Sequence, residues 1–230
     1  MDKFTIKDIS LKEKKVIIAD VDDTICESCQ VISSEMAEQI SRMTKQGYEF
    51  AFISGTKNED LRNMISSQLK EKHHLLATTG TNYSVVEGDA MNSIYNHSFN
   101  PEEKEEIIAA LKKLIANYNI QSLTSEKDQL QDRGSQITLS AIGRHAPSEL
   151  KASYDPDWTK RKQWIAFLKN HLDENKYDLK IGGTTSIDVT RKGLDKEWGI
   201  KTFAQYCNIP LDSILFLGDK ICPEGNDFPA

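Results

Sequence analysis

Cysteine is scarce in this sequence, which has four cysteines among its 230 residues. They are Cys26, Cys29, Cys207 and Cys222, too few and too scattered for a disulfide framework in a chain of this length. Cys26 and Cys29 form a CxxC, but the other two do not form a second one, and no aromatic residue or proline flanks the pair. A four-thiolate zinc site and a thioredoxin-like redox site are therefore disfavoured, and reduced thiols are expected.

Long apolar runs and a strong excess of charge of one sign are also missing. No segment approaches the ~20 consecutive apolar residues of a membrane span, and the first residues open no run of signal-peptide length. The 35 acidic and 29 basic residues give a net charge of -6, which does not indicate a nucleic-acid or membrane surface. We therefore expect a cytoplasmic protein whose partners include neither nucleic acid nor membrane.

A short apolar run that ends in carboxylates is the strongest local feature of the sequence. Residues 16–19 suit a buried strand of a parallel sheet, because such strands are covered on both faces. Asp20, Asp22 and Asp23 follow, and then Thr24. At the carboxyl end of a strand these side chains would lie in the crevice where open α/β sheets bind ligands. Negative charges this close together are costly unless a cation shares the site, so we expect a divalent metal.

Strand and helix patterns alternate at both ends of the chain. The alternation predicts a parallel sheet with helices on its faces. The predicted elements are strands at 15–20, 48–53, 75–78 and 213–217, and helices at 33–45, 59–69 and 194–207.

The middle of the chain has a different pattern. It predicts, in order, a helix that begins with Asn100-Pro101, a half-exposed antiparallel strand at 135–142, a helix that begins with Asp155-Pro156, and strands at 177–181 and 185–190. We therefore expect an α/β fold, with a Rossmann-like parallel-sheet core formed by residues 1–84 and 192–230. An α+β domain of residues 85–191 is inserted into this core.

Four short features fall at predicted strand ends or helix starts. Singly, each has a plain explanation: a solvated acidic turn, an ordinary turn, a surface lysine or a helix cap. Their joint occurrence, in this order along an α/β pattern, is much harder to dismiss and indicates one shared site. The four features are Asp20-x-Asp22-x-Thr24, Ser54-Gly55, Lys196, and Gly218-Asp219 with Asn226-Asp227.

Together these motifs resemble the haloacid-dehalogenase-like (HAD) phosphotransferase superfamily. Its members carry DxDxT after the first strand, Ser or Thr after the second, a later Lys, and a terminal GD with further acids. The resemblance implies that Asp20 becomes a phosphoaspartate, that Asp22 is the general acid and base, and that Lys196 neutralises charge. It also implies phosphate binding by Thr24, Ser54 and Gly55, and Mg²⁺ held by Asp20, Asp219, Asp227 and the backbone carbonyl of Asp22.

The inserted part is similar to the phosphomannomutase branch of this superfamily, whose α/β cap of type IIB follows the third strand. The similarity lies in Asp132–Ile137, in Ile142-Gly143-Arg144, in the segment Gly182–Val189, and in Asp195-Lys196. It implies that Arg133, Arg144 and Lys151 bind the phosphate far from the metal, a task that suits the bidentate guanidinium group. It also implies that Ser186 and Asp188 bind the sugar.

The activity implied by this branch is interconversion of mannose 6-phosphate and mannose 1-phosphate. Such a mutase binds a phosphorylated hexose and uses hexose 1,6-bisphosphate as activator and intermediate, so it needs two phosphate sites. The branch also implies a homodimer that pairs through the caps.

Three features depart from the family pattern. Asp23 stands where the superfamily usually has Gly, and the position near Cys29, commonly basic in phosphomannomutases, is not basic. The sequence ends at Ala230, shortly after Asp227, where the family continues with loop ligands, another strand and a helix. From this end we expect either an incomplete metal site or a partial chain.

The motifs leave other functions open. A HAD-type sugar-phosphate phosphatase uses the same phosphoaspartate, which hydrolyses when water enters. A receiver domain like that of response regulators also uses an acidic pair, Mg²⁺ and a late Lys, but its acceptor Asp follows the third strand, and no Asp occurs in residues 75–81. A non-catalytic relative, inactive through Asp23 or the short C-terminus, is the remaining alternative.

Overall fold

The computed structural model describes residues 14–221, 227–228 and 230. The chain divides into two compact units. The core unit contains the residues up to Asn96 and those from Asp195 onward, and the inserted unit is His97–Leu194. Cys222 and Asn226, both considered above, lie outside the described residues.

A six-stranded sheet forms the centre of the core unit, in the spatial order β10-β1-β2-β3-β4-β5. The first four strands of this order are parallel, and β4 and β5 are antiparallel additions. The predicted α/β class with a Rossmann-like, largely parallel sheet is therefore confirmed. The strands are β1 (Val16–Asp20), β2 (Glu49–Ile53), β3 (His73–Ala77), β4 (Asn82–Glu87), β5 (Ala90–Asn96) and β10 (Ile214–Leu217).

Helices cover both faces of this sheet, and β1 shows how. All five residues of β1 are buried. Ile17 and Ala19 pack in a cluster with residues from α1 and α2, whereas Val16 and Ile18 pack in another cluster with residues of α7. A strand buried on both faces has no polar alternation, which is why its apolar run was legible in the sequence. The helices of the core unit are α1 (Ser34–Lys45), α2 (Asn58–Ser66) and α7 (Lys196–Tyr206).

The predicted boundary of the insertion at residue 85 was wrong. Strands β4 and β5 pair with each other, and β4 pairs with β3, so residues 85–96 complete the core sheet. Glu87 pairs with Ala90 across a two-residue turn, in which Gly88 has a φ of 60°. A hairpin needs no crossover helix, so two more strands join the sheet here without the alternation of strands and helices that predicted the other strands. At the far end, residues 192–194 belong to the inserted unit.

The inserted unit contains an antiparallel four-stranded sheet in the order β6-β7-β9-β8. One face carries apolar residues such as Ile137 and Val189, which pack with Leu111 and Trp164 of the helices α3 and α6. The strands are β6 (Leu130–Asp132), β7 (Gln136–Ser140), β8 (Tyr177–Gly182) and β9 (Ser186–Arg191), and the helices are α3 (Pro101–Tyr118), α4 (Glu126–Gln129), α5 (Ser148–Tyr154) and α6 (Thr159–Lys169).

Strand β7 is antiparallel, as predicted, but the predicted exposure of its polar side was wrong. All five of its residues are buried. The strand lies between β6 and β9, and its polar side chains bond to one another and across to β9. The Thr138 hydroxyl, for example, donates to Asp188 at 2.7 Å. Alternation of apolar and polar residues therefore predicted correctly which residues share a face, but it did not predict that the polar face is buried.

The helix α3 begins where the sequence predicted. Asn100 accepts the amide of Glu103, the Glu103 carboxylate accepts the amide of Asn100, and Pro101 occupies the first turn. This reciprocal pair satisfies two amides that the helix itself cannot bond.

The second predicted start, at Asp155-Pro156, came too early, because α6 begins at Thr159. Among the described helices, none is long and apolar enough to cross a membrane.

Candidate active site

Asp20 is the last residue of β1, and its side chain is buried at the carboxyl edge of the parallel sheet. It is 4% exposed. The ammonium of Lys196, itself 1% exposed, donates to Asp20 Oδ1 at 2.5 Å and to Asp227 Oδ1 at 2.5 Å. Lys196 begins α7, where the carboxylate of Asp195 caps the helix by accepting the amide of Trp198. One buried cation thus joins two carboxylates that come from opposite ends of the chain.

The electrostatics of Asp20 follow from this burial. Removal from water raises the pKa of the Asp20 carboxyl above its usual range, and the neighbouring charge of Asp227 acts in the same direction. The ammonium of Lys196 opposes both effects. One cation shared between two buried carboxylates leaves net negative charge, which favours a further cation at the site.

Asp219 is the third carboxylate near this point. One oxygen from each of Asp20, Asp219 and Asp227 lies within 4.8 Å of the others. Gly218 has no side chain here for a steric reason, since a Cβ would lie 2.8 Å from Asp227 Cγ. Three hard oxygen donors at this spacing suit Mg²⁺, so the residues present fit the predicted metal. The carboxylate of Asp22 is not part of this trio.

The Asp22 carboxylate has separate partners that hold it in place. The hydroxyl of Ser54 donates to Asp22 Oδ2 at 3.2 Å, and the backbone amide of Cys29 donates to Asp22 Oδ1 at 2.8 Å. Ser54 in turn accepts the amide of Thr56 at 3.0 Å. The structure therefore brings together the predicted residues Asp22 and Ser54, from the ends of neighbouring strands. The amide of Cys29 was not predicted, because the CxxC pattern drew attention to the thiol.

Thr24 and Asp23 complete the turn after β1. The Thr24 hydroxyl lies 3.4 Å from Asp20 Oδ2, a long hydrogen bond. Asp23 has a φ of 63°, the left-handed region in which Gly is most easily accommodated. Its carboxylate accepts the amide of Ser28 at 3.2 Å. The turn conformation thus explains why the family prefers Gly at this position, and the side chain of Asp23 bonds within the same loop.

Lys220 is a charged residue of the site that sequence reasoning missed. Its ammonium donates to Asp219 Oδ2 at 2.7 Å, and its backbone amide donates to Asp227 Oδ2 at 3.0 Å. Burial lowers the pKa of Lys220, but the carboxylates of Asp219, Asp23 and Asp20 outweigh burial and raise it overall. The only signal available was its position directly after Gly218-Asp219, in a loop rich in acids.

The predicted phosphate-binding residues of the inserted unit lie in a hydrogen-bonded network of their own. The guanidinium of Arg133 donates to Gln131 Oε1 at 2.9 Å. The amide of Gln131 donates to the carbonyl of Asp128, which also accepts the backbone amide of Arg144 at 3.2 Å. Lys151 donates to the carbonyl of Arg144 at 3.0 Å. The three predicted residues are therefore linked within the inserted unit, Arg144 through its backbone amide and carbonyl.

The predicted sugar-binding residues lie on β9. Ser186 pairs with Ser140 and Asp188 pairs with Thr138 in the register of β7 and β9. The hydroxyls of Ser186 and Ser140 are 3.1 Å apart, and Thr138 donates to Asp188 Oδ1. Ser186 and Asp188 are two residues apart on one strand, so both belong to the polar face of the sheet.

Comparison with known proteins agrees with this geometry. The family model of haloacid dehalogenase-like hydrolases matches residues 17–227. A phosphomannomutase of Babesia bovis is 25% identical over 222 residues, which cover 94% of this chain and 87% of the relative. A probable phosphomannomutase of Caenorhabditis elegans is 26% identical over 225 residues (93% and 85% covered), and phosphomannomutase 1 of Homo sapiens is 24% identical over 226 residues (94% and 83% covered).

Solved structures share the fold. The SMU.1108c protein of Streptococcus mutans superposes with a TM-score of 0.61 at 18% identity, over 94% of this chain and 83% of its own. The IMP-nucleotidase of Plasmodium falciparum superposes with a TM-score of 0.65 at 16% identity, over 96% of this chain and 63% of its own. At these identities the likeness concerns the fold alone. The matched span includes both ends of the core unit and the whole insertion, and the chain therefore belongs to the haloacid dehalogenase-like hydrolase family.

Proposed function

We propose that this protein is a Mg²⁺-dependent phosphosugar phosphotransferase that works through a phosphoaspartate at Asp20, and that its reaction is the phosphomannomutase reaction. The observation that carries the proposal is the buried carboxylate of Asp20 at the end of β1, paired with Lys196. Relatives named phosphomannomutase, matched over more than nine-tenths of this chain, support the choice of reaction.

The first chemical step is attack by a carboxylate oxygen of Asp20 on the phosphorus of a sugar phosphate. The bond from phosphorus to the sugar oxygen breaks, and this oxygen takes a proton from Asp22. In the second step Asp22 takes back a proton from a hydroxyl of the hexose monophosphate, and that oxygen attacks the phosphoaspartate. Hexose 1,6-bisphosphate first loads Asp20 by the first step, and mannose 1-phosphate then takes this phosphoryl group on its 6-hydroxyl by the second step. The bisphosphate so formed turns over and returns its 1-phosphoryl group to Asp20, which leaves mannose 6-phosphate and regenerates the phosphoaspartate.

The residues around Asp20 have complementary tasks. Lys196 places positive charge beside the nucleophile, and the Thr24 and Ser54 hydroxyls are within reach of the transferring oxygens. Ser54 also holds Asp22, together with the Cys29 amide. Mg²⁺, held by the three clustered carboxylates and by the predicted carbonyl of Asp22, would supply the charge that lets a phosphate dianion approach a carboxylate.

The inserted unit supplies the second phosphate site in this proposal. Arg133, Arg144 and Lys151 bind the phosphate that is not being transferred, and Ser186 and Asp188 bind the hexose. The described hydrogen bonds support this assignment because they tie the Arg133 guanidinium and the Lys151 ammonium to the same backbone segment around Asp128 and Arg144. Pairing of inserted units in a homodimer and a cytoplasmic location belong to the same proposal.

A HAD-type sugar-phosphate phosphatase is the second candidate. It uses the same first step, after which water rather than a sugar hydroxyl attacks the phosphoaspartate. The observation that favours it is the loop around Cys29. The Cys29 amide holds Asp22, and the commonly basic position near Cys29 supplies no positive charge here.

One incubation separates the two candidates. Mannose 1-phosphate is added to the protein with Mg²⁺ and a trace of hexose 1,6-bisphosphate, and mannose 6-phosphate and inorganic phosphate are followed together by phosphorus NMR. Accumulation of mannose 6-phosphate supports the mutase. Inorganic phosphate without the 6-phosphate isomer overturns the mutase reaction and supports the phosphatase.

A further inference from the structure

We propose that Arg161 and Asp155 form a positioning pair that sets the turn between β8 and β9, and through it the carboxylate and hydroxyl offered to the sugar by Asp188 and Ser186. The inference rests on the proposed function, because it takes Asp188 and Ser186 as sugar-binding residues. It assigns a role to a buried charged pair that lies in neither predicted phosphate site.

The pair is almost completely buried. The side chains of Arg161 and Asp155 are each 1% exposed. Arg161 Nε donates to Asp155 Oδ2 at 2.8 Å, and Arg161 Nη2 donates to the carbonyl of Asp155 at 3.1 Å. The carboxylate also accepts the amides of Lys160 and Arg161, at 2.9 and 3.2 Å. Asp155 thereby fixes the guanidinium at the start of α6.

The other side of the guanidinium reaches the turn. Arg161 Nη1 donates to the carbonyls of Gly182 and Gly183, both at 3.0 Å. The planar guanidinium can serve Asp155 and two consecutive carbonyls at once, whereas a lysine ammonium is a single point charge. Stability alone does not explain the pair, because well-packed apolar residues stabilise an interior at least as well as a buried ion pair does. Its distinctive property is the fixed geometry that it imposes.

Gly182 transmits this geometry to Asp188. The carboxylate of Asp188 lies against the Cα of Gly182, so closely that a Cβ on Gly182 would overlap Asp188 Oδ2. Gly182 also pairs with Ser186 across the β8–β9 ladder. The residue held by Arg161 through its carbonyl is therefore the one on which both Asp188 and Ser186 depend for their positions.

A second tie fixes the end of the same turn. Thr185 is buried, and its carbonyl accepts the amide of Ala141 at 3.0 Å, directly after β7. The turn is thus held at Gly182 and Gly183 by Arg161 and at Thr185 by the chain that leads to Arg144. Gly183 has a φ of 43° and an open surface around it, so the turn itself contributes little packing. External hydrogen bonds, rather than the turn, set its position.

The consequence concerns substrates that carry a sugar ring. If the turn shifts, Asp188 and Ser186 lose their alignment with the hydroxyls of the hexose, whereas phosphoryl transfer from a small donor such as p-nitrophenyl phosphate needs only the core unit. Loss of the hydrogen bonds from Arg161 to Gly182 and Gly183 should therefore raise the KM for mannose 1-phosphate and leave the kinetics of p-nitrophenyl phosphate unchanged.

The test uses Arg161→Lys in the whole chain. This substitution keeps the positive charge beside Asp155 and removes the two hydrogen bonds to the carbonyls of Gly182 and Gly183. Consumption of mannose 1-phosphate is followed whichever product forms, so the choice between mutase and phosphatase does not affect the readout. We expect the KM for mannose 1-phosphate to rise by about tenfold, the loss of one or two well-placed hydrogen bonds. The kcat and KM for p-nitrophenyl phosphate should stay within about twofold.

Arg191→Lys is the matched control. Arg191 also pairs with a carboxylate, Glu103, and donates to two backbone carbonyls, those of His97 and Ser98. It lies at the other end of β9, away from the β8–β9 turn. The control variant should also lose thermal stability, although less because the Arg191 side chain is 30% exposed. Its KM for mannose 1-phosphate should stay near that of the unmodified protein.

Two further variants decide the outcome. Asp188→Asn measures the sugar contact directly, and its combination with Arg161→Lys should raise the KM little beyond the larger single effect, because both changes disturb the same contact. Gly182→Ala displaces the Asp188 carboxylate directly and leaves the guanidinium of Arg161 in place. It should reproduce the rise in KM even where Arg161→Lys fails to fold.

The possible contradictions point to different causes. Two outcomes overturn the positioning role and leave the proposed sugar site intact. In the first, Arg161→Lys and Asp188→Asn raise the KM independently, so that their effects multiply in the double variant. In the second, Arg161→Lys leaves the KM unchanged while Asp188→Asn raises it. Unchanged KM values in both Asp188→Asn and Ser186→Ala overturn the sugar site itself, and the positioning role with it.

Discussion

The two units use buried charge in opposite ways. In the core unit, Asp20 and Asp227 share the one ammonium of Lys196, so the buried site keeps excess negative charge. In the inserted unit, the buried pair of Arg161 and Asp155 has no excess charge, and its described hydrogen bonds run to backbone groups as well as to each other.

Sheet topology explains this difference. Parallel strands all end at the same edge, so side chains from distant parts of the sequence converge there, and charges gather where a ligand can neutralise them. An antiparallel sheet spreads its polar residues over one face in rows set by the register. The core unit therefore concentrates charged side chains at one edge of its sheet, whereas the inserted unit spreads its polar side chains over one face. Substitutions in each unit can test this difference.

The largest effect should come from Asp20→Asn, which removes the nucleophile and keeps the shape of the side chain. We expect phosphotransfer to fall by at least about 10³-fold, because no other group replaces a covalent nucleophile. Rates are measured with mannose 1-phosphate and with p-nitrophenyl phosphate, and both should fall together. Unchanged rates would remove every catalytic version of the proposal.

Lys196→Met tests whether the core site depends on its shared cation. The change leaves two buried carboxylates facing each other without the ammonium, a loss that costs about 3–5 kcal/mol of folding free energy for a broken buried pair. Urea unfolding measures this cost, and activity should fall as well. The exposed pair of Lys201 and Glu197 on the same helix offers the control, since Lys201→Met should change stability by less than about 1 kcal/mol.

Between about pH 6.5 and pH 4, protonation of histidine should destabilise the core unit more than the inserted unit, because the buried histidines lie in the core unit. His73 and His74 are buried in β3, whereas His97, His145 and His171 of the inserted unit are exposed. Burial lowers the pKa of His74 to about 4, and its Nδ1 lies 2.8 Å from the hydroxyl of Tyr83.

The direction of this effect follows from proton linkage. The unfolded chain binds a proton on His74 near pH 6.5, while the folded chain resists it until about pH 4. Stability from the neutral imidazole is therefore complete above about pH 6.5 and declines as the pH falls to 4, by about 3 kcal/mol in total. The Glu49 carboxylate, 3.7 Å from His74 Nε2, would reduce the decline. Urea unfolding between pH 4 and 7 should show a shallower decline in His74→Gln; an identical slope would contradict the assignment to His74.

Arg133→Gln and Arg144→Gln sharpen the comparison from the side of the inserted unit. Each removes one cation proposed for the phosphate that is not transferred, and we expect the KM for mannose 1-phosphate to rise about 10- to 100-fold. The kinetics of p-nitrophenyl phosphate should not change, because the one phosphate group of that donor is transferred to Asp20 and none is left to bind the arginines. A parallel loss with both substrates would mean that the arginines act through folding.

The smallest effect should come from Asp23→Gly. Gly adopts the φ of 63° without strain, which favours the folded state by about 1 kcal/mol, although the hydrogen bond to the Ser28 amide is lost. We expect thermal stability to change little and activity to change by a few-fold at most. Asp23→Asn separates charge from strain, since it keeps the shape of the side chain. A large gain in activity for both variants would identify the charge of Asp23 as a restraint on the enzyme.

Much of the core unit could be predicted because its signals are local. The run that forms β1 is apolar throughout, and the motif residues follow directly at strand ends, so the positions of Asp20, Ser54 and Lys196 in the fold were legible one element at a time. The β4–β5 hairpin was missed because its pairing partner, β3, could be found only by knowing which strand edge remained free. The polar side of β7 was judged exposed because alternation reports faces and not their neighbours.

The sequence by itself determined the family, the α/β class and the residues that end each parallel strand, since these depend on short patterns and on the common edge of such sheets. Only the tertiary structure decided that one ammonium serves Asp20 and Asp227, although Lys196 and Asp20 are 176 residues apart. It alone showed that Arg161 reaches Gly182 and Gly183 and that Lys220 lies against Asp219. Burial and hydrogen-bond partners depend on contacts between residues far apart in the chain, and no local pattern specifies them.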